Sequence, residues 1–224
     1  MKILILGGIK EASNLARKLV EEDHDVTSSL AGRTKEPQPI NGKVRIGGFG
    51  GVEGLVNYLQ ENKIELLIDC THPFATQISA NALSASQLSN VKLEIHEREP
   101  WQKLEDDNWI EVKNLEEARD NIPLNARVLL ALGSQYIDLF KTRSDVFYLV
   151  RMVDAPSSQL PLAKHEILLG KPSKNWLEEK AILQANKITN IICRNSGGKG
   201  AYAKIEAARN LNIPVIMIGR EKPK

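Results

Sequence analysis

The fold of this chain is decided by its first stretch, KILILGGIKEA, at residues 2–12. A short apolar run from Lys2 to Leu6 ends in Gly7-Gly8, and the segment from Glu11 to Glu21 then places its apolar residues on one helical face. A strand, a tight turn and a helix in this order are typical of a parallel sheet that is covered by helices.

Further short apolar runs predict strands in both halves of the chain, with helical patterns between them. The predicted strands are Val26–Leu30, Val44–Ile46, Leu66–Cys70 and Val91–Ile95 in the first half, and Val128–Leu132, Val146–Val150, Ile167–Leu169, Asn190–Cys193 and Val215–Ile218 in the second. The predicted helices are Glu53–Glu61, Phe74–Leu88, Trp176–Ala185 and Ala201–Leu211. Because these strands show no polar alternation, we expect α/β architecture with parallel sheets that are buried on both faces.

The second half repeats the plan of the first. The same spacing separates Gly47 from Gly170, Cys70 from Cys193 and Leu93 from Ile216, which predicts a structural pseudo-repeat. We place a domain boundary near residues 98–125, where EREPWQKLEDDNW carries charge, a proline and two tryptophans, and expect a hairpin or linker there. The predicted domains are residues 1–98 and 99–224.

The composition is that of an ordinary globular protein of 224 residues, and the formal net charge of +2 argues against a nucleic-acid-binding face. Cys70 and Cys193 lie in apolar runs without the spacing of metal ligands, so we expect neither a metal site nor a disulfide. Glycine and charge interrupt the first apolar run before signal-peptide length, and no stretch approaches a membrane span. The sequence therefore predicts a cytoplasmic protein without membrane or nucleic-acid partners, and a monomer is favoured over an oligomer.

Ligands bind beyond the carboxyl ends of parallel strands, so the segments after the strands are expected to carry the function. The segment Gly7–Ala12 lacks the full dinucleotide fingerprint but suits a phosphate at a helix N-terminus, with a plain glycine turn as the alternative. After the second strand, Arg33 stands where NAD enzymes carry an acid, and Ser29, Gly32 and Thr34 surround it. This pattern favours the 2′-phosphate of NADPH, with a solvated loop arginine as the alternative.

Two more first-half turns are candidates. GGFGG, residues 47–51, is predicted to form an anion-binding concavity near the pyrophosphate or the nicotinamide ribose, with Phe49 as a lid or stacking surface; a flexible turn is the alternative. In Asp69–Pro73, Pro73 is predicted as the first helical residue and Thr71 or His72 as its cap. A helix N-terminus disfavours the cationic form of His72, which we expect as a neutral imidazole in a catalytic or a capping role.

The second half has its own glycine-rich turn, NSGGKG at residues 195–200, in the place that corresponds to Thr71–Phe74. Lys199, Tyr202 and Lys204 lie close by, which suits a ligand that bears carboxylates. Tyr202 and Lys204 diverge by about 200° on a helix, which argues against the Tyr–Lys pair of short-chain dehydrogenases.

Six ordered motifs together resemble the precorrin-6A and cobalt-precorrin-6A reductase family, and the likeness runs from Ile3 to about Arg220. The motifs are ILGG-x-x-EA, SLAGRT, GGFGG, D-x-THPFA, RMVDAP and NSGG-x-x-AYAKIEAAR. The resemblance implies two Rossmann-like domains with the ligand cleft between them. It also implies an NAD(P)H-dependent reductase that transfers hydride to one double bond of a tetrapyrrole macrocycle in cobalamin biosynthesis. The family often has Thr or Ser where this chain has Ile9, which removes a hydroxyl contact to phosphate.

From the turns and the resemblance we assign residues to three roles. The cofactor, NADPH with NADH as the alternative, is assigned to Gly7, Gly8, Ile9, Glu11, Ser29, Gly32, Arg33, Thr34, Gly48, Phe49, Gly50, Gly51, Thr71, His72 and Pro73. The substrate is assigned to Gln77, Asn81, Arg151, Asn195, Ser196, Gly197, Gly198, Lys199 and Lys204, with Arg98 as a further cation for its acetate and propionate groups. His72, Tyr202 and Lys204 are the candidate catalytic proton donors, with water as the alternative, and no metal ligand is assigned.

Two other functions fit part of the sequence. A non-catalytic NADPH-sensing protein would use the first half but would leave the second glycine-rich turn without a role. A methyltransferase on the same sheet would require an acid near Arg33. Cobalt-bound and metal-free substrates are not distinguished by the sequence.

Overall fold

The structure is a computed structural model that describes residues 1–32 and 39–220. The chain divides into two compact units, Met1–Arg98 and Glu99–Lys224, each built around its own parallel sheet. No helix in the described part of the chain combines the length and the apolar character needed to cross a membrane.

The first unit contains five parallel strands in the spatial order β3-β2-β1-β4-β5. Its elements are β1 (Lys2–Leu6), α1 (Lys10–Glu21), β2 (Asp25–Leu30), β3 (Lys43–Ile46), α2 (Val52–Glu61), β4 (Leu66–Asp69), α3 (Thr76–Ser89) and β5 (Lys92–Ile95). The order reverses between β1 and β4, so the switch point where α/β proteins bind ligands lies at the carboxyl ends of these two strands.

The central strand β1 is buried on both faces, which explains its continuous apolar run. Ile3 and Ile5 face α1 and pack against Ala12 and Ala16, whose small side chains let the helix approach closely. The opposite face packs against α2 and α3, through the buried residues Leu4, Leu6, Leu55, Leu59, Ala82 and Ala85. Burial of both faces leaves the turns after the strands as the polar surface of the unit.

The second unit contains six parallel strands in the order β6-β11-β10-β7-β8-β9. Its elements are β6 (Trp109–Val112), α4 (Leu115–Asp120), β7 (Arg127–Ala131), a 3-10 helix (Ser134–Phe140), β8 (Phe147–Met152), β9 (His165–Leu169), α5 (Trp176–Ala185), β10 (Asn190–Arg194), α6 (Ala203–Asn210) and β11 (Val215–Ile218). The prediction of two parallel-sheet α/β domains is confirmed.

Residues 96–108, which include most of EREPWQKLEDDNW, contain no helix or strand, as expected of a linker, and no hairpin forms in the segment. From Trp109 the segment instead forms β6, which pairs in parallel with β11, followed by helix α4. Trp109 and Val112 of β6 are buried, and the side chain of Asn114 accepts the Glu117 amide to cap α4. Two apolar anchors and a cap therefore give the segment regular structure despite its charge.

The pseudo-repeat is real in topology, because β9-β8-β7-β10-β11 repeats the order β3-β2-β1-β4-β5. Its residue register differs from the prediction by one position. When the ladders are followed from Gly47 and Gly170, the counterpart of Cys193 is Asp69 and not Cys70. Constant sequence spacing did not reveal this shift, because the connections in the two units differ in length.

Candidate functional site at the carboxyl edge of the first sheet

The turns after β1, β2, β3 and β4 all lie at one edge of the first sheet, because the strands are parallel. The turn after β1 leaves backbone uncovered. A Cβ at Gly7 would meet the Cβ of Ala12 at 3.1 Å, so Gly7 is required for close packing of α1, while Gly8 has a φ of +118° and open space beside it. Ile9 is the N-cap of α1 and makes no side-chain cap hydrogen bond. The α1 N-terminus therefore keeps its dipole and amides available for an anion.

Glu11 brings a negative charge into the first turn of α1, beside this anion-binding position. Its carboxylate lies 3.6 Å from the guanidinium of Arg98, whose side chain is only 16% exposed. The ion pair offsets the repulsion that Glu11 would exert on a bound phosphate. Arg98 was predicted as a further cation for the substrate, and in this structure it pairs with Glu11.

The turn after β2 begins with Ser29, which is buried, and continues to Gly32, which has a φ of +73°. The hydroxyl of Ser29 accepts a hydrogen bond from Arg45 of β3 at 3.3 Å. Arg33 and Thr34, which were assigned to the 2′-phosphate, lie outside the described residues. The described part of this site is therefore the Ser29–Arg45 contact, and sequence reasoning did not include Arg45.

The GGFGG turn presents bare backbone. Gly47, Gly50 and Gly51 have φ values of +114°, +80° and +97°, which side chains rarely adopt, whereas Gly48 does not have a positive φ. A Cβ at any of these four glycines would meet nothing within 4 Å. Positive φ values account for glycine at positions 47, 50 and 51. At Gly48 the φ value does not require glycine, and the missing side chain leaves open space next to the turn.

Phe49 was predicted to be a lid or a stacking surface for the ligand. Its half-buried ring packs on the core of the first unit and meets Tyr58 of α2 edge-on at 5.3 Å between centroids. The guanidinium of Arg45 stacks on the ring, 3.8 Å from its centroid. The helix that follows depends on Gly54, where a Cβ would overlap the carbonyl oxygen of Phe49. Phe49 therefore anchors the turn to α2.

The turn after β4 differs from the predicted cap. Helix α3 begins at Thr76 with Ala75 as its N-cap, so Pro73 is not the first helical residue. The hydroxyl of Thr71 donates to the buried carboxylate of Asp69 at 2.7 Å, and Nδ1 of His72 accepts from the Phe74 amide at 3.2 Å. These local bonds close a turn before the helix, which explains its later start. His72 still lies beside the switch point, at the carboxyl end of β4.

Gln77 and Asn81 of α3, assigned to the substrate, hydrogen-bond to each other at 3.0 Å. Gln77 is exposed and Asn81 is half-buried.

Cys70 is not a nucleophile in this site. It is 2% exposed, and burial raises the pKa of its thiol to about 11. The pKa of Cys193 is raised by the same cause. A raised pKa keeps a thiol protonated, so only about one Cys70 in a thousand is ionised at pH 8.

We expect maleimide to label neither cysteine of the folded protein at pH 8 within minutes and to label both in denaturant, as measured by intact-mass spectrometry. Fast labelling of the folded protein would contradict the burial of both cysteines.

In the second unit, Trp101 holds the turn at residues 195–200. Its amide donates to Oδ1 of Asn195 at 2.7 Å, and its carbonyl accepts from Nδ2 of Asn195 at 2.9 Å. Its indole Nε1 donates to the carbonyl of Gly198 at 2.7 Å. Gly197 is packed tightly, because a Cβ there would overlap the carbonyl oxygen of Glu99. The conformation of this turn is therefore set by the interior of the second unit.

Tyr202 and Lys204 are also committed to this interior. Lys204 is 3% exposed, its ammonium donates to the Ala201 carbonyl at 2.7 Å, and burial lowers its pKa. The same ammonium lies 4.9 Å from the ring centroid of Trp101. The hydroxyl of Tyr202 accepts from Arg209 at 2.8 Å. Both residues therefore belong to the packing that holds the turn at residues 195–200 in place.

The remaining predicted substrate residues divide between interior and surface. Arg151 is 7% exposed and donates to Glu179 of α5 at 2.7 Å, in a pair that is buried on both sides. Ser196 closes the turn through its amide, which donates to the Arg194 carbonyl at 2.7 Å. Lys199 is exposed at the tip, and it forms no ion pair with any described residue. Lys199 is thus the predicted substrate cation that stays at the surface.

Sequence reasoning missed Arg45, Gly54 and Trp101. Arg45 and Gly54 lie at the two sides of the GGFGG turn, so their proximity to it was visible in the sequence, but their contacts with Gly47, Gly48 and Phe49 were not. Trp101 is far from residues 195–200 in the chain, and no local pattern connects the two.

A parallel α/β unit whose strand order reverses between β1 and β4, with glycine-rich turns at that edge, defines a Rossmann-like α/β protein. Comparison with known proteins narrows this class. The chain belongs to the precorrin-6x reductase family, because the family described as "Precorrin-6x reductase CbiJ/CobK" matches residues 2–224. The resemblance predicted from the six motifs is confirmed.

Curated relatives and a solved structure agree with this family. The precorrin-6A reductase of Rhodobacter capsulatus is 41% identical over 222 residues, which cover 98% of this chain and 88% of the relative. The cobalt-precorrin-6A reductase of Priestia megaterium is 28% identical over 233 residues, covering 98% and 91%. A solved structure described as CobK precorrin-6A reductase is 40% identical with a TM-score of 0.95, covering 100% of this chain and 90% of that one.

Proposed function

We propose that this protein is an NADPH-dependent reductase of precorrin-6A or its cobalt-bound counterpart, an oxidoreductase of cobalamin biosynthesis that acts on a carbon–carbon double bond of the macrocycle. One observation supports this most directly: the carboxyl edge of the first sheet leaves the backbone of two glycine turns uncovered, in a chain of the precorrin-6x reductase family. Bare backbone at this edge suits the phosphates of a dinucleotide.

The residues of the first unit fit a nicotinamide cofactor. Gly7 and Gly8 give access to the uncapped α1 N-terminus, where the pyrophosphate would bind. The nicotinamide would then lie toward the β4 turn, where Thr71 and His72 follow the switch point. When bound, the cofactor supplies a hydride. The contribution of the protein is to orient the two reacting rings within reach of each other and to exclude water.

We assign His72 to the proton transfer, with solvent water as the source of the proton. Because Nδ1 of His72 accepts the Phe74 amide, a neutral imidazole carries its hydrogen on Nε2, where it would orient the water or the macrocycle by a hydrogen bond. Tyr202 and Lys204 support the substrate turn instead, since their polar atoms bond to Arg209 and to the Ala201 carbonyl. The substrate carboxylates would contact the Lys199 side chain and the backbone amides of residues 197–199. These amides donate to no described group.

The proposal is tested by NADPH oxidation in the presence and absence of the tetrapyrrole. We expect oxidation only when the tetrapyrrole is added, and stoichiometric formation of the reduced macrocycle by mass spectrometry. Metal-free and cobalt-bound substrates, each with NADPH and NADH, identify the preferred pair. A protein that binds NADPH tightly but never oxidises it with either substrate would instead be the non-catalytic sensor.

The Gly48→Ala variant tests whether the cofactor contacts the GGFGG turn, because the added methyl group fits the backbone conformation of Gly48. The added methyl meets nothing within 4 Å and Gly48 does not have a positive φ, so stability should change by less than about 0.5 kcal/mol. If the cofactor lies against this backbone, the methyl displaces it, and we expect the Kd for NADPH to rise at least about tenfold, a loss of about 1.4 kcal/mol. Fluorescence titration and thermal unfolding measure the two effects. The matched control is Gly200→Ala, which adds a methyl to equally open space in the second unit. Unchanged NADPH affinity in Gly48→Ala would remove GGFGG from the cofactor site.

A further inference from the structure

Arg45 is the charged residue that determines the shape of the GGFGG turn. Its guanidinium donates to the carbonyl oxygens of Gly47 at 2.5 Å and Gly48 at 2.7 Å, and to the Ser29 hydroxyl at 3.3 Å. The same group stacks on Phe49. A single side chain thus connects the end of β2, the turn after β3 and the aromatic residue that anchors the turn to α2.

These bonds orient the peptides of the turn. In a planar trans peptide the N–H points opposite to the C=O, and the described chain contains no cis peptide bond. Because the carbonyls of Gly47 and Gly48 point to Arg45, the amides of Gly48 and Phe49 point away from it. Neither amide donates to any group within the described ranges. The turn therefore presents two donors on the side opposite to Arg45 that have no acceptor among the described residues.

The corresponding turn of the second unit already contains an anion. After Gly170, the amide of Ser173 donates to Oε1 of Glu179 at 2.8 Å, and this buried carboxylate is paired with Arg151. Within residues 1–32 and 39–98, no acidic side chain accepts a hydrogen bond from the GGFGG turn. Among residues 1–32 and 39–220, Arg45 has no carboxylate partner either. The positive charge of Arg45 therefore lies against the GGFGG turn, and no carboxylate among the described residues neutralises it.

We propose that Arg45 positions the Gly48 and Phe49 amides to bind the 2′-phosphate of NADPH, so that an external phosphate occupies the role that Glu179 has in the second unit. The location favours this phosphate over the pyrophosphate. β3 lies two strands from β1, about 10 Å away, and next to the end of β2, where the adenosine ribose binds in this type of sheet. Arg45 acts through the turn and is a positioning residue. The inference rests on the proposed use of a nicotinamide cofactor and specifies how that site selects it.

The test compares ligands with and without the 2′-phosphate on the full chain. Binding of NADPH, NADH, adenosine 2′,5′-bisphosphate and AMP is measured by calorimetry for the wild type, Arg45→Met and Arg45→Lys. We expect Arg45→Met to weaken binding of NADPH and the bisphosphate at least about tenfold, because a turn that is no longer held in place loses at least one charge-assisted bond from an amide to the 2′-phosphate. NADH and AMP should stay within about twofold, because they lack the group that the turn binds. Arg45→Lys keeps the charge without the fork that reaches two carbonyls, so we expect an intermediate loss.

Lys43→Met is the matched control, because Lys43 is a cation of the same strand whose ion pair with Asp25 lies at the surface. It should leave all four affinities unchanged. The inference is overturned if Arg45→Met keeps the wild-type preference for NADPH over NADH, or if the wild type has no such preference. If Arg45→Met does not fold, wild-type preference in Arg45→Lys overturns it equally. Failure of the wild type to bind either nicotinamide would instead refute the proposed function.

Discussion

Gly54→Ala is expected to destabilise the first unit and to abolish tight NADPH binding. Alanine in place of glycine within a helix ordinarily stabilises it by about 1 kcal/mol. Here the new Cβ would overlap the carbonyl oxygen of Phe49, and backbone cannot move aside as a flexible side chain does. Overpacking of this kind costs about 1–3 kcal/mol. Because the overlap is with backbone, we take the upper end of that cost, about 3 kcal/mol, which leaves a net loss of about 2 kcal/mol of unfolding free energy. The sign of the change distinguishes the two effects.

The consequence for binding follows from what the overlap displaces. Either the start of α2 or the GGFGG turn must shift, and both movements change the direction of the Gly48 and Phe49 amides. We expect the Kd for NADPH to rise at least about thirtyfold, corresponding to about 2 kcal/mol. Urea unfolding and fluorescence titration measure the two quantities. Gly200→Ala, in open space without a positive φ, should leave both unchanged. A Gly54→Ala protein that is more stable than the wild type would show that the turn is not held against α2.

The parallel-sheet architecture of both units was predictable, because strands that are buried on both faces have continuous apolar runs in the sequence. β1 and β11 illustrate this, since both were predicted with their observed bounds. β6 was missed because only Trp109 and Val112 of its four residues are buried, while Glu111 is exposed. Such a strand has too few apolar residues to be distinguished from a charged linker. The register of the pseudo-repeat was missed because spacing along a chain does not show which residues are paired across strands.

The site was predictable where one local turn contains it and not where two distant segments meet. Gly7 and Ala12 are such a local pair, and their contact at 3.1 Å follows from the expected packing of α1. The predicted cap at Thr71 or His72 failed because Thr71 bonds to Asp69 and His72 bonds to the Phe74 amide within a separate turn, and α3 begins only at Thr76. Lys204 was assigned to the substrate and to proton donation because its position in a helix of mixed composition gave no sign of its burial against the indole of Trp101.

Trp101→Ala is expected to have the largest effect in the second unit. Trp101 is 8% exposed and packs against Tyr202 in the core cluster. Truncation of a buried tryptophan costs about 3–5 kcal/mol of unfolding free energy. It also removes the Nε1 bond to Gly198 and exposes the ammonium of Lys204. Urea unfolding should therefore show a less stable second unit, and binding of the tetrapyrrole should be lost together with the shape of the turn.

A conservative variant separates stability from substrate binding. Trp101→Phe keeps an aromatic ring over Lys204 but cannot donate to the Gly198 carbonyl, and the loss of that hydrogen bond costs about 1 kcal/mol. Because Gly198 lies within the turn assigned to the substrate, we expect the affinity for the tetrapyrrole to fall about fivefold while the affinity for NADPH stays unchanged. Leu177→Ala, at an exposed position of α5, is the control for general effects on the second unit. If Trp101→Phe bound the tetrapyrrole as tightly as the wild type, the turn at residues 195–200 would not need its tryptophan anchor to hold the substrate.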